Sequence, residues 1–255
     1  MNNKILVSFF IICFLVVSCS KNNEIKDDAA ILSIKGLPSV DLLGRVAFSG
    51  AKENEINIYD SNTGRLFSFQ NKNPVYNAKI NSQSNKIFFL SLAEDKYYSE
   101  LWVYDVFTKK KRRISSESHG DVTGFSVSED GLEIAYVAFH DARNEEVVYL
   151  ANLYNELQIL EVSDLPSSLK GLVPIIQKNT RELLLSKGTE ILTVDLYEAR
   201  YISTFSLSED VYFLEVNGYF SSFIDGYYQV SQFSSVTNSI EQITFDSSNK
   251  LLPKL

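Results

Sequence analysis

Apolar residues along most of this chain come in short runs, separated by brief polar turns, with no long 3.6-residue period. That pattern predicts many strands and few helices. Three stretches align: INSQSNKIFFLS (Ile80–Ser91), VSEDGLEIAYVA (Val127–Ala138) and IQKNTRELLLSK (Ile176–Lys187). In each, an apolar residue is followed by a polar turn and a strongly apolar run. Ile87, Ile134 and Leu183 hold equivalent places, 47 and 49 residues apart. A strand-rich period of about 40–50 residues is the signature of radially repeated sheets.

A second strand pair follows each run: Glu100–Ser115, Glu146–Val162 and Glu190–Phe205, with an earlier copy at Glu55–Phe69. Asn62-Thr63-Gly64, Asp130-Gly131 and Asn217-Gly218 are hairpin chemistry, because glycine accepts the positive φ of a tight turn. The expected units cover about 30–72, 73–118, 119–165, 170–207 and 208–246. The last would use 212–216, 219–224, 227–233 and 240–245. Phe205-Ser206-Leu207-Ser208-Glu209-Asp210 echoes the segment from Phe125, but a unit starting there would leave the fourth too short. One four-stranded sheet, apolar on both faces, cannot bury them alone; radial stacking covers each face with a neighbour. The expected fold is an all-β propeller of four-stranded blades, five in number, with six small ones as the alternative. Ala30–Ile34 is the expected innermost strand of the first unit.

The beginning of the chain breaks this pattern. Lys4 precedes an apolar stretch, Ile5 to Val17, interrupted only by Ser8. A bilayer-spanning helix needs about 20 apolar residues, whereas a secretory signal core needs about 7–15. The stretch ends in Val16-Val17-Ser18-Cys19. This resembles the lipobox of bacterial lipoproteins, with an aliphatic residue three places before the cysteine and a small one immediately before it. The resemblance implies cleavage before Cys19, a diacylglycerol on its thiol and an acylated amino terminus; an ordinary signal with a chance cysteine is the alternative. The expected organisation is a signal at 1–18, a flexible tether at 19–29 and a propeller domain at 30–255. About ten tether residues reach roughly 35 Å, and more than one acyl chain holds a protein on a membrane better than a single chain does. The expected location is the bacterial envelope, at the outer membrane because Ser20 rather than Asp follows the anchor, with a periplasmic or a surface face.

Composition narrows the function. The chain has 2 Cys; with Cys13 in the signal and Cys19 acylated, no disulfide scaffold is available. The net charge of −8 becomes −9 when Lys4 leaves with the signal. An acidic body excludes nucleic acid as an expected partner. Tyr (14) and Phe (17) greatly outnumber Met (1), which favours strands. The one basic cluster, Lys109-Lys110-Lys111-Arg112-Arg113, reads as a solvated turn or as a contact for an acidic partner.

The repeats resemble the WD40-like repeats of TolB-type β-propellers. The residues that carry this are Ser128-Glu129-Asp130-Gly131, Ile134-Ala135-Tyr136, Leu101-Trp102-Val103-Tyr104-Asp105 and Arg113-Ile114-Ser115. The likeness is clearest in the second and third units, and the proline of the family's turn is missing. It implies architecture more than activity.

Little catalytic chemistry is visible. The chain has 2 His, His119 and His140, both in turn-like text that reads as solvated, and no metal-ligand spacing. There is no G-x-S-x-G elbow, and no calcium-loop or phosphate-loop pattern. Asp130 reads as a turn cap and Trp102 as core. Tyr97, Tyr98, Tyr227 and Tyr228 are expected near blade edges, where aromatic pairs suit an interface. No catalytic residue, metal or cofactor is expected. The function expected is a non-catalytic, membrane-tethered scaffold for an envelope protein partner; the alternative is a propeller that binds or hydrolyses glycans at its mouth, for which two carboxylates about 5–10 Å apart in a central pocket would be the sign.

Overall fold

Among the described residues the strands fall into five sheets, each built from four consecutive strands. The computed structural model describes residues 39–244 except 41–44, 50–51, 61, 82, 95–96, 141, 155–156, 167–171, 178–179, 209, 213–217 and 225–226. The signal, the tether and Cys19 lie outside the described residues, as does Ala30–Ile34.

The first sheet comprises β1 (Ser39–Val40), β2 (Arg45–Ser49), β3 (Glu55–Asp60) and β4 (Arg65–Gln70). The second comprises β5 (Val75–Asn81), β6 (Lys86–Leu92), β7 (Ser99–Asp105) and β8 (Lys110–Arg113). The third holds β9 (Asp121–Val127), β10 (Glu133–His140), β11 (Glu145–Asn152) and β12 (Gln158–Glu161). The fourth holds β13 (Val173–Ile176), β14 (Glu182–Lys187), β15 (Glu190–Asp195) and β16 (Arg200–Ser206). The fifth holds β17 (Val211–Tyr212), β18 (Tyr219–Ile224), β19 (Tyr227–Ser234) and β20 (Ser239–Gln242). Pairing is antiparallel throughout the sheets. The described residues contain one short 3-10 turn, Glu117–His119, and no α-helix.

Each sheet falls inside one expected repeat. The innermost described strand of the first sheet is Ser39–Val40. Phe205 lies in the outer strand β16, so its echo of Phe125 in the inner strand β9 does not start a unit.

Side-chain parity explains the stacking. In β6, Ile87 and Phe89 point to the first sheet, while Phe88 and Leu90 point to the third. In β10, Ile134, Tyr136 and Ala138 face the second sheet, and Ala135 and Val137 face the fourth. In β14, Leu183 and Leu185 face the third sheet and Leu184 the fifth. Ile87, Ile134, Leu183 and Phe220 are all buried and all face the preceding sheet. A strand covered on both faces needs an unbroken apolar run rather than alternation. Burying one such side chain contributes about 1.5–3 kcal/mol.

First strands are innermost: β1 touches β5, and β9 touches β13. Fourth strands are outermost and largely exposed, as in β4, β8 and β12. The chain passes between sheets at one end, here termed the crossover end. The first-to-second and third-to-fourth strand hairpins lie at the opposite end.

That opposite end is tied laterally. Asn81 Nδ2 donates to Ser128 O (3.0 Å) and Glu129 O (2.9 Å) of the next sheet's turn. Its Oδ1 accepts from Ser84 N (2.9 Å) in its own turn. Gly131, at φ +70°, lies so near that a Cβ would sit 2.2 Å from Ser84 Oγ. Asp130 is the expected turn cap: its Oδ1 accepts from Ser128 Oγ (2.6 Å) and Leu132 N (3.0 Å).

Candidate functional site

The third-to-fourth strand hairpins repeat one construction. Asp60 Oδ1 accepts from Asn62 N (2.9 Å) and Thr63 N (3.3 Å). Asp105 Oδ1 accepts from Phe107 N (3.0 Å) and Thr108 N (2.8 Å). Asp195 Oδ1 accepts from Tyr197 N (2.7 Å) and Glu198 N (2.8 Å), and Asn152 Oδ1 from Tyr154 N (2.7 Å). A short acidic or amide side chain bonding the backbone two residues on is the mechanism of such turns. These bonds, Thr108 N above all, hold the Asp105 carboxyl below its ordinary range. Gly64, Lys109, Ala199 and Asn238 close four of the turns in the left-handed region.

The third residue of the turn is thereby pushed outward. It is Phe107 (78% exposed), Tyr154 (73%), Tyr197 (81%) and Val236 (82%) in the second to fifth sheets. Equivalent hairpins emerge at the same end, so these side chains share one rim. The sequence carried the signal in Asp105-Val106-Phe107, Asn152-Leu153-Tyr154 and Asp195-Leu196-Tyr197, but none of these tips was among the residues expected to make contacts.

A cavity of about 340 Å³ opens at the crossover end of the second sheet, beside the connection that enters it from the first. Its base is set by packing. Phe69 of β4 stacks on Tyr104 of β7 with ring centroids 4.1 Å apart. Trp102, two residues from Tyr104 and on the same face of β7, packs against the same cluster and lines the cavity. In the register, Arg113 lies opposite Trp102 and Lys111 opposite Tyr104. Cross-strand partners share a face, so Lys111 and Arg113 turn toward the cavity while Lys110 and Arg112 turn away.

Arg113 holds two carboxylates, Glu100 at 2.9 Å and Glu117 at 3.2 Å. Glu100 also accepts from Trp102 Nε1 at 3.1 Å. Lys72 pairs with Glu94. Lys111 Nζ donates to Asn71 Oδ1 at 2.6 Å and sits 4.5 Å from the centre of the Trp102 ring. Burial pushes the Lys111 ammonium down, and the charge of Glu100 partly opposes this. Asn71 is itself buried and donates to Asn73 O (3.0 Å) and Ser91 Oγ (2.8 Å). Glu100 and Glu117 both line the cavity, and the Arg113 guanidinium bridges them, so neither is a free carboxylate.

The expected contact residues are dispersed. Lys109 is in a turn at the opposite end, while Lys110–Arg113 form the outer strand β8, not a turn. Strand geometry therefore splits the basic cluster between two faces. Tyr97 is fully exposed in the β6–β7 hairpin, near the cavity. Tyr98 is half-buried beside it. Tyr227 is exposed, and Tyr228 meets Phe223 edge-on at 5.2 Å on the fifth sheet. Trp102 is half-buried, with Lys111 over its ring, rather than simply core.

His119 departs from its solvated reading. Its ring stacks on Tyr149 at 4.0 Å and 9°, and its Nδ1 lies 2.6 Å from Tyr136 Oη. Ser116 N also donates to Nδ1, at 3.3 Å. A nitrogen facing a backbone N–H is an acceptor, so the neutral ring carries its proton on Nε2. Burial pushes His119 down; the charge of Glu161 opposes this and that of His140 adds to it. Burial also raises Tyr136 strongly. His140 Nδ1 is buried with no hydrogen-bond partner among the described residues. No group of three or more potential metal ligands occurs among the described residues.

Radially stacked four-stranded antiparallel sheets, innermost strand first, define an all-β propeller. A crystal structure of TolB from Acinetobacter baumannii is similar to it, with a TM-score of 0.57 and 14% identity over 79% of this chain and 53% of that one. This chain thus spans about half the length of the TolB structure. A structure of a nidogen–laminin complex aligns with a TM-score of 0.49 and 11% identity, over 72% of this chain and 66% of that one. No protein family matches the sequence, and no curated protein matches it.

Proposed function

We propose that this chain is a non-catalytic scaffold, tethered to the bacterial outer membrane by lipid on Cys19, that docks a protein partner of the envelope. The observation that carries this reading is the rim formed by Phe107, Tyr154, Tyr197 and Val236, repeated in four sheets and strongly exposed. Large aromatic side chains held at rigid turns offer contact area with little conformational entropy to lose. Burying such residues alone contributes little to folding, since they touch little of their own chain. The lipobox, Val16-Val17-Ser18-Cys19, supports the tether, and the polar segment after it supports a domain standing off the membrane.

The test is mild crosslinking in intact cells, followed by detergent solubilisation and affinity recovery. The expected result is a discrete crosslinked species with one envelope protein, lost when Phe107, Tyr154 and Tyr197 are together replaced by Ser. Recovery of the chain alone, or an unchanged species in the triple variant, overturns the reading.

A further inference from the structure

The cavity at the crossover end of the second sheet is lined by three cations and three carboxylates, and they do not pair evenly. Arg113 takes both Glu100 and Glu117, and Lys72 takes Glu94. This leaves Lys111. Among the described residues no carboxylate lies within ion-pair distance of its ammonium. Its neighbours are the Asn71 amide oxygen and the face of the Trp102 ring. An ammonium has three donors. Lys111 is exposed on the outer strand, so these two neutral neighbours leave its ammonium open to the cavity and to water, with no opposite charge yet against it.

The surroundings keep Lys111 in this state. Asn71 is pinned by its bonds to Asn73 O and Ser91 Oγ, so its Oδ1 is presented to Nζ at a fixed place. Glu100 is held away by Arg113 and Trp102 Nε1. Partial burial of the side chain lowers the pKa of Lys111, and the charge of Glu100 opposes this. The space beside it is polar and large enough for an acidic side chain, but not for a folded element. Tyr97 is exposed on the β6–β7 hairpin, which also carries the lining residues Ala93 and Glu94.

We propose that this cavity is a binding site for a carboxylate carried on an acidic peptide segment, with Lys111 as the residue that receives it. The carboxylate completes the ion pair that Lys111 lacks, and Asn71 orients the ammonium toward it. The site differs from the apolar rim in place and in chemistry, so it stands or falls separately from the scaffold reading.

Trp102 makes the test direct, because it is the chain's single tryptophan and Lys111 lies over its ring. Purified chain is titrated with a capped peptide of three glutamates, with the matching glutamine peptide, with sodium acetate and with sodium chloride, following tryptophan emission. The expected result is a saturable change with the glutamate peptide alone, with half-saturation at about 1 mM or below. Lys111→Met keeps most of the side-chain stem and should weaken binding at least about tenfold, about 1.4 kcal/mol. Circular dichroism of the variant checks that it is folded. A Lys111→Arg variant restores the charge and should recover much of the response. An equal response to the glutamine peptide or to chloride, no response to any carboxylate, or unchanged binding in folded Lys111→Met overturns the proposal. Acetate binding as tightly as the peptide overturns the assignment to a peptide.

Discussion

Asn81 donates its side-chain amide to the backbone carbonyl of Ser128 at 3.0 Å, across the seam between the second and third sheets. The same NH2 group reaches Glu129 O, and its oxygen caps its own turn at Ser84. One side chain thus fixes the spacing of two neighbouring hairpins. Asn81→Ala removes all of these bonds and should lower stability by about 1–2 kcal/mol. In a domain of this size about 1 kcal/mol shifts the melting temperature by roughly 2–4 °C. Gly131→Ala should cost more, since it adds a steric clash with Ser84 to an unfavourable backbone conformation. Thermal melts of both variants check this. An Asn81→Ala melt equal to the parent would mean the seam is held by apolar packing alone.

Lys109 sits at φ +55°, where the equivalent turn of the first sheet has Gly64 at φ +65°. A non-glycine residue there carries strain of about 1–2 kcal/mol, while glycine loses about 0.5–1 kcal/mol more entropy on folding. Lys109→Gly should therefore be neutral to stabilising, by up to about 1 kcal/mol. The reverse change, Gly64→Lys, should destabilise. Denaturant midpoints measured on the pair would decide it, and a clear loss in Lys109→Gly would contradict the strain assigned to that turn.

His119 provides a pH dependence. Its folded pKa is lowered, chiefly by burial, so the folded state resists a proton that the unfolded chain accepts at about pH 6.5. This contribution is fully present above the unfolded value and is lost as pH falls below it. A proton on Nδ1 would face the Ser116 N–H donor and force the Tyr136 hydroxyl to turn from donor to acceptor. NMR titration of the His119 ring should give a midpoint below that of an unstructured histidine. The melting temperature should fall more steeply from pH 7.5 to 5.5 (roughly one unit either side of the unfolded pKa) in the parent than in His119→Phe. A raised midpoint would refute the buried, neutral assignment.

Cys19→Ser should release the protein from membranes. Detergent phase partitioning is expected to move it from the detergent to the aqueous phase, with loss of metabolic labelling by a fatty acid. A cysteine-independent membrane association would replace the lipid tether with an uncleaved signal. Variants at the rim have the opposite profile: Phe107→Ser with Tyr197→Ser should leave the melting temperature within about 1–2 °C of the parent, because changes at exposed sites usually stay within about 0.5 kcal/mol, while partner capture is lost.

The sheets were legible because both of their determinants are local. Apolar runs such as Ile87–Leu90 and Ile134–Ala138 require burial on two faces, and turn residues such as Asn62-Thr63-Gly64 mark where strands reverse. The cavity was not legible in the same way. Five adjacent basic residues read as one charged patch, but the pairing of β7 with β8 sends Lys111 and Arg113 to one side and Lys110 and Arg112 to the other. That register depends on a turn closed by Lys109 in the left-handed conformation, a position with no glycine to announce it. His119 was missed for a different reason. Its partners Tyr136 and Tyr149 lie on the second and third strands of the next sheet, and no local spacing brings them together. The exposed turn tips are readable in the sequence, since an acidic or amide residue two places before an aromatic one recurs three times.

Each sheet is drawn from one uninterrupted stretch of sequence, and that has a consequence for descent. Duplicating or deleting such a stretch adds or removes a whole wedge without rethreading any other, and disturbs only the two faces that newly meet. Since Ile87, Ile134, Leu183 and Phe220 all offer a bulky side chain to the unit before, a newly inserted wedge finds a compatible face already waiting. Arrays of this kind change size by gene-level slippage more readily than folds whose strands are interleaved from distant parts of the chain.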